Sequence, residues 1–387
     1  MRIYLDHNAT APMEPAAADA LMRAITEVIG NASSVHSFGR LAKAGLDDAR
    51  AAVAALIGAE PAEVVFTSGG TESDNLALRG AAEEVPATRR RHVIVSAIEH
   101  EAVLNTVKAM ARHGWKVTVL PVGASGVVAT DALRDAIDDQ TAIVSVMHAN
   151  NELGTIQPVD ELAAISHDHG ALFHTDAVQS AGKLPLNARA SGVDLLSLSS
   201  HKFGGPKGVG ALWIRRGLSL RAVMTGGRQE RGRRAGTENV PAIMAMGVAA
   251  AIARDRLPAS SERIAVLRDR LEASILAGVP GSVVNGASRP RTPNTTNISF
   301  DHVEGEALVM ALDMEGIAVS TGSACSSGTL EPSHVLRAIG LPPSRVQSAI
   351  RFSLGPQTTD AEIDRVSTTV SSVVARLRGI SGRRSEG

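Results

Sequence analysis

Short apolar runs with little polar alternation recur through the first half of the chain. "EVVFTS" (Glu63–Ser68), "HVIVSA" (His92–Ala97), "KVTVLPV" (Lys116–Val122), "AIVSVMH" (Ala142–His148), "ALFHTDA" (Ala171–Ala177), "DLLSLSS" (Asp194–Ser200) and "GALWIRR" (Gly210–Arg216) are β-branched or leucine-rich and turn polar only near their C-terminal ends. Runs of this kind read as strands covered on both faces. Between several of them lie amphipathic stretches, Thr71–Gly80, Glu101–His113 and Val159–His169. Strand and helix in alternation predict an α/β fold with a mainly parallel, doubly wound sheet. After about Gly236 the texture changes. Two long helical patterns, Thr237–Arg254 and Ser261–Ala277, precede isolated strands "NISFD" (Asn297–Asp301) and "IRFSL" (Ile350–Leu354), and a helical pattern near Asp360–Leu377 closes the chain. These predict a second, smaller α+β domain. The division expected is 14–250 for the large domain and 1–13 with 251–387 for the small one.

Composition narrows the class. At 387 residues the chain exceeds the usual span of one core, in keeping with two domains. Aromatics are 2%, so Ala, Val, Leu and Ile must build the interior. A net charge of −1 argues against a nucleic-acid footprint, which needs a basic excess. One cysteine forms no internal disulfide and fits a reducing compartment. The start "MRIYLDHNATAP" has no apolar signal region, and no apolar run reaches the ~18 residues of a membrane span. The expectation is a soluble cytoplasmic protein.

In an open α/β sheet, ligands bind outside the carboxyl ends of the strands. The residues just beyond each predicted strand are therefore informative. After "EVVFTS" comes "GGTESDN", where Gly69 and Gly70 permit a tight turn and Thr71 opens a helix whose free amides suit an anion. The later strands deliver Glu99 and His100, Asn150 and Asn151, Asp176 and Gln179, then Ser199, His201 and Lys202. A lysine ending a buried strand is costly unless used or paired, and burial makes it a competent Schiff-base amine. Asp176 alone would serve as a helix cap, but a carboxylate at that strand end wants a cationic partner, and a protonated pyridine nitrogen is one. "HDH" (His167–His169) reads as a helix C-terminal turn, where cations are favoured. "ATRRR" (Ala87–Arg91) reads as a solvated loop, and "RQERGRRAGTEN" (Arg228–Asn239) as either an exposed basic loop or a phosphate or interface loop. The nucleotide patterns GxxxxGK[ST] and GxGxxG are absent. The single cysteine, Cys325, lies in "STGSACSSG" (Ser320–Gly328), where every neighbour is small and five carry a hydroxyl. A structural cysteine normally sits among apolar core residues, so this setting points to an accessible, reactive thiol.

Together, "YLDHNATAP", "GGTESDN", "ANNELG", "HTDAVQS", "SSHKFGGPKGVG", "RRAGTEN", "STGSAC" and "RFSLG" resemble the cysteine desulfurases of the NifS/IscS type, within the class V aminotransferase superfamily. The resemblance implies a type I fold dependent on pyridoxal 5'-phosphate (PLP). It implies that Lys202 joins the cofactor covalently, Asp176 pairs with its ring nitrogen, Gln179 bonds its phenolic oxygen and His100 stacks on the ring. Gly70, Thr71, Ser199 and His201 would hold the phosphate. Thr237 would reach the phosphate of a partner subunit, making the site a property of a homodimer. Asn151 and Arg351 would grip the substrate near its carboxylate. Cys325 would accept sulfur from L-cysteine as a persulfide, leaving L-alanine, and pass it to an acceptor such as an iron–sulfur scaffold protein. A selenocysteine lyase or a class V aminotransferase of the same fold are the rival readings. Ala11 and Ala235 depart from the family, which often has Thr and Ser there.

Overall fold

The computed structural model describes residues 2–84, 90–286, 290–322 and 332–384. Cys325 therefore lies outside the described residues. The chain opens with a two-residue strand, β1 (Ile3–Tyr4), and two helices, α1 (Pro15–Glu27) and α2 (Ser37–Leu56). Then strands and helices alternate: β2 (Val64–Thr67), α3 (Gly70–Glu84), β3 (His92–Ser96), α4 (Glu101–Arg112), β4 (Lys116–Leu120), α5 (Thr130–Ala136), β5 (Thr141–Ser145), α6 (Val159–Asp168), β6 (Leu172–Asp176), β7 (Leu195–Ser199) and β8 (Gly210–Ile214). The remainder comprises α7 (Val240–Gly278), β9 (Ser282–Val284), β10 (Thr295–Phe300), α8 (Gly305–Met314), β11 (Ile317–Ala318), α9 (His334–Ala338), α10 (Pro343–Gln347), β12 (Ala349–Ser353) and α11 (Asp360–Arg384).

Strands β2 to β8 form one seven-stranded sheet in the order β2-β8-β7-β6-β5-β3-β4. Only β8 runs against its neighbours, β2 and β7. Because β8 is antiparallel to both, β2 and β7 share a direction, and the carboxyl ends of β2, β3, β5, β6 and β7 fall on one edge. Every residue of β2, β3, β5, β7 and β8 is buried, which is why their sequences show no alternation. Strand β4 differs. It lies at the sheet edge with Lys116 and Val119 exposed, so its apolar run is covered on one side only.

The helices cover this sheet. Helix α4 buries Val103, Thr106, Val107 and Met110, a stripe at the helical period. A second core, containing Ile298, Phe300, Ile350 and Phe352, lies between the three-stranded antiparallel sheet β12-β10-β9 and helices α8, α11 and the C-terminal half of α7. Sequence pattern split α7 in two; it is one helix with Pro258 inside. Its first half packs Ile243, Met246 and Ala250 into the sheet-side core, and its second half packs Ile264, Leu267 and Leu271 into the other. Apolar burial at both ends outweighs the ~3 kcal/mol that an internal proline costs. Arg90, expected in a solvated loop, is instead tied down, its Nη1 donating to the carbonyls of Thr141 (2.9 Å) and Gly170 (2.6 Å). His167 pairs through Nε2 with Asp194 Oδ2 at 2.8 Å, while its turn does end α6. Among the described residues, no helix is long and apolar enough to cross a membrane.

Candidate active site

The carboxyl edge of the large sheet gathers the predicted polar groups. After β2 the chain turns through Gly69, whose φ of +156° is open to glycine alone. Ser73 N donates to Gly69 O at 3.1 Å, the first bond of α3. Among the described residues, the amides of Gly70 and Thr71 donate to nothing. Close approach explains Gly70: a Cβ there would lie 2.9 Å from Val178 Cγ2 and 3.6 Å from Ser199 Cβ. The Ser199 hydroxyl, at the end of β7, also has no partner among the described residues. Free helix amides beside a free hydroxyl make an anion cradle.

Asp176 ends β6. One of its oxygens accepts from Val178 N at 2.8 Å, and the other accepts nothing among the described residues. Burial pushes this carboxyl up, while His100 and Lys202 pull it down by their charge. His100 caps α4, its Nδ1 accepting from Ala102 N at 3.1 Å. Lys202 closes a 3-10 turn, Ser200–Lys202, directly after β7. Its Nζ donates to the carbonyls of Asn8 (2.6 Å) and Ala9 (2.9 Å). Burial, aided by the Arg351 charge, pushes the amine down to about 8 against the opposing pull of Asp176 and Asp6. His201 Nδ1 lies 3.2 Å from Thr10 Oγ1, and burial pushes its imidazole down to about 4, so it is neutral at pH 7.

Gln179 Nε2 donates to Asn8 O at 2.9 Å, and its Oε1 accepts from Lys183 Nζ at 2.7 Å. Asn151 offers its carbonyl to Asn8 Nδ2 (2.9 Å) and Arg351 Nη1 (3.3 Å), leaving its side-chain amide without a partner among the described residues. Arg351 is buried, with Nη2 held by Asp6 Oδ1 at 2.6 Å and Nε without a partner among the described residues. Thr237 stands apart. It lines a separate cavity with Ser68, Gly208, Arg234 and Glu238, and among the described residues no hydrogen bond joins it to the Lys202 group.

Sequence reasoning missed Asn8, Lys183 and Asp74 here, while Glu99 was already placed at a strand end. Asn8 touches Lys202, Gln179, Lys183 and Asn151 at once. Lys183 follows Gln179 by four residues, a spacing that brings side chains together and was available to read. Buried acids Asp74 and Glu99 lie near Asp176; burial pushes Asp74 well up and Glu99 up to about 8.

These groups fit PLP. Free amides suit a phosphate, an unpartnered carboxylate oxygen suits a ring cation, and an amine near neutrality suits the aldehyde carbon. Fold and site thus define a PLP-dependent enzyme, and the chain belongs to the family described as Aminotransferase class-V, whose model matches residues 3–366. Within that family it is 49% identical over 381 residues to the cysteine desulfurase of Gluconacetobacter diazotrophicus, covering 98% of this chain and 95% of that one. Among solved structures it is similar to a NifS-like protein, with a TM-score of 0.91, 37% identity and coverage of 97% and 100% of the two chains. It is also similar to SspA in complex with cysteine, with a TM-score of 0.81, 33% identity and coverage of 93% and 100%.

Proposed function

We propose that this chain is a PLP-dependent cysteine desulfurase acting on L-cysteine in the cytoplasm. The observation that carries the reading is the buried Lys202 amine, pushed down to about 8, in electrostatic contact with the buried Asp176 beside a free anion cradle. When bound, the cofactor supplies an electron sink for the α-carbon of the substrate. Lys202 would hold the cofactor covalently, and its near-neutral amine would carry protons at the substrate α-carbon. Asp176 would keep the ring nitrogen protonated, Gln179 would bind the phenolic oxygen, and His100 would cover the ring. Gly70, Thr71 and Ser199 donate to the phosphate, with His201 as a neutral donor. Arg351 and the free amide of Asn151 take the substrate carboxylate, for which Arg351 must share its fork with Asp6.

Cys325 completes the reaction. Its thiolate attacks the substrate sulfur. The carbon–sulfur bond breaks, a sulfur–sulfur bond forms, and the carbon takes the electron pair and a proton to give L-alanine. The atoms balance with no outside oxidant. The persulfide on Cys325 then passes to an acceptor, which we assign to an iron–sulfur scaffold. A second copy of the chain would bring Thr237 to the phosphate. Exposed apolar side chains on and between α1 and α2, including Ile25, Ile29, Val35 and Phe38, support such a homodimer.

The test is a reaction of the purified protein with L-cysteine. Alanine should form mole for mole with persulfide or sulfide, and Lys202→Ala should abolish both. Transfer of the amino group to a keto acid without alanine formation would favour a plain aminotransferase and overturn the reading, and so would turnover confined to selenocysteine.

A further inference from the structure

Three residues beside Lys202 close a ring of hydrogen bonds among themselves. Lys183 Nζ donates to Gln179 Oε1 at 2.7 Å and to Asn8 Oδ1 at 3.0 Å, and Gln179 Nε2 donates to the Asn8 carbonyl at 2.9 Å. The chain turns directly after β6 to allow this. Ser180 N and Ala181 N both donate to Ala177 O, and Leu184 N donates to Ser180 O at 2.9 Å. That helical turn puts Gln179 and Lys183, four residues apart, on one face. The Asn8 carbonyl is also the atom to which Lys202 Nζ donates at 2.6 Å, so the ring touches the lysine at the centre of the site.

Asn8 is fixed from outside the ring. Its Oδ1 accepts a second bond, from Asn294 Nδ2 at 2.9 Å, while its Nδ2 donates to Asn151 O at 2.9 Å and to Thr295 Oγ1 at 2.8 Å. Gln179 is buried, and its amide is tied at both ends, the oxygen to Lys183 and the nitrogen to Asn8. An amide tied at one end swings about that bond; tied at both, it keeps one plane. The second N–H of Gln179 is left over, with no partner among the described residues. Lys183 is half-buried, with its amine at the enclosed end. Burial first, then the charges of Lys202 and Arg351, push that amine well below an ordinary lysine. A neutral amine has two N–H groups, and the ring uses both.

We propose that Lys183 is a positioning residue: its amine closes the ring that fixes the one Gln179 N–H left for the phenolic oxygen of the cofactor. This builds on the cofactor-binding role of Gln179 in the reading above and takes nothing from the sulfur chemistry. Lys183 need not touch the cofactor. Its effect passes through Gln179, because a donor held in one plane favours the charged form of the oxygen it faces, and a swinging donor favours it less. A fixed donor thereby eases loss of the proton shared between the phenolic oxygen and the Lys202 nitrogen.

The holoenzyme reports on this through the pH midpoint of its visible cofactor absorption, which follows that shared proton. Wild type, Lys183→Met, Gln179→Leu and the double variant are titrated. Lys183→Met should raise the midpoint by roughly half to one pH unit, and Gln179→Leu by at least as much. The double variant should match Gln179→Leu alone, since Lys183 then has no amide to hold. Loss of a cation would also raise the midpoint, but it would do so equally with Gln179 absent. Additive shifts would therefore overturn the proposal, and so would an unchanged or lowered midpoint in Lys183→Met. Lys183→Leu, of different shape, is measured beside Lys183→Met so that one poorly packed side chain does not decide the result, and urea midpoints check that each variant is folded. Should the wild type bind the cofactor yet make no alanine from L-cysteine, the desulfurase reading falls, while the absorption titrations still decide the role of Lys183.

Discussion

Lys202 should titrate as an unusually weak base, and the structure fixes both the size and the sign of the effect. Its amine is pushed from 10.5 down to about 8 by burial first and by Arg351 second, with Asp176 and Asp6 opposing. At pH 7.5 an amine of pKa 8 is neutral in about a quarter of molecules, against about one in a thousand for an ordinary lysine, a gain of roughly two hundredfold. The same difference corresponds to about 3 kcal/mol between the two protonation states. The folded pKa is the lower one, so the linked stability is present above 10.5 and lost as pH falls towards 8. The assay is brief reductive methylation of cofactor-free protein across a pH series, with peptide mapping to separate Lys202 from Lys183. The reference is the same peptide in denatured protein. Labelling of Lys202 should rise with a midpoint near 8 when folded and near 10.4 when denatured. Asp176→Asn removes a charge that favours the ammonium, so the midpoint should drop further. Arg351→Met removes a repelling cation, so it should rise. A folded midpoint at about 10 or above, or an upward move in Asp176→Asn, would refute the assignment.

Other outcomes rest on single features. Cys325→Ser should keep cofactor absorbance and L-cysteine binding yet lose persulfide formation almost entirely, because a hydroxyl is a poor nucleophile at neutral pH; near wild-type sulfide release would remove the thiol from the mechanism. Glu230 sits at φ +45° at the start of the loop that carries Thr237, and Arg50 holds it at 2.7 Å through both guanidinium ends. Glu230→Ala strands Arg50 as a buried unpaired cation and should lower stability by about 3–5 kcal/mol in urea unfolding; a change under about 1 kcal/mol would show that the pair contributes little. His174 is buried and pushed down to about 3, whereas the unfolded chain takes the proton near 6.5, so stability must fall as pH drops below 6.5. Between pH 6.5 and 5 that amounts to about 2 kcal/mol, and His174→Gln should flatten the slope in urea midpoints measured at those pH values.

Much of this site was legible because strand ends are legible. Asp176, Ser199 and Lys202 each follow a run of buried residues, and a charged or hydroxylic group at that position has little to do in a core. His100 and Asn151 were found by the same logic. Two elements resisted it. Helices α1 and α2 are rich in alanine, and their buried stripe of Ala42, Leu46, Ala49 and Val53 contrasts weakly with its surroundings. Asn8 was hidden for a different reason. It follows a strand of only two residues, and its partners Lys202, Gln179 and Asn294 lie more than 170 positions away. Periodicity reports what a side chain is buried against, never which distant polar atom it will meet. Lys183 shows the limit in between: its spacing from Gln179 was visible, but a lysine on a helical turn is ordinary until its head is found enclosed.

The enclosed charges themselves explain how one lysine can be singled out. Around Asp176 the fold buries two more acids, Asp74 and Glu99, and two more bases, His174 and Lys183. If all were ionised, the field at Lys202 would be the sum of many opposed terms. Burial disfavours the charged form of each of them. Asp74 lies 3.6 Å from His174 Nε2, yet burial pushes its acid well up and the imidazole down to about 3, so burial disfavours the charged form of both. Glu99 rises to about 8 although Ser96 and the amide of Met147 both bond one of its oxygens. Lys183 falls well below an ordinary lysine, and its amine serves to orient Gln179 and Asn8. Burial acts on Asp176 as well, but there His100, Lys202 and the amide of Val178 work against it. Its ionised form is the one that gains from a cation placed at its free oxygen. A protonated ring nitrogen would be that cation, and it would offset the burial that still pushes the Asp176 carboxyl up.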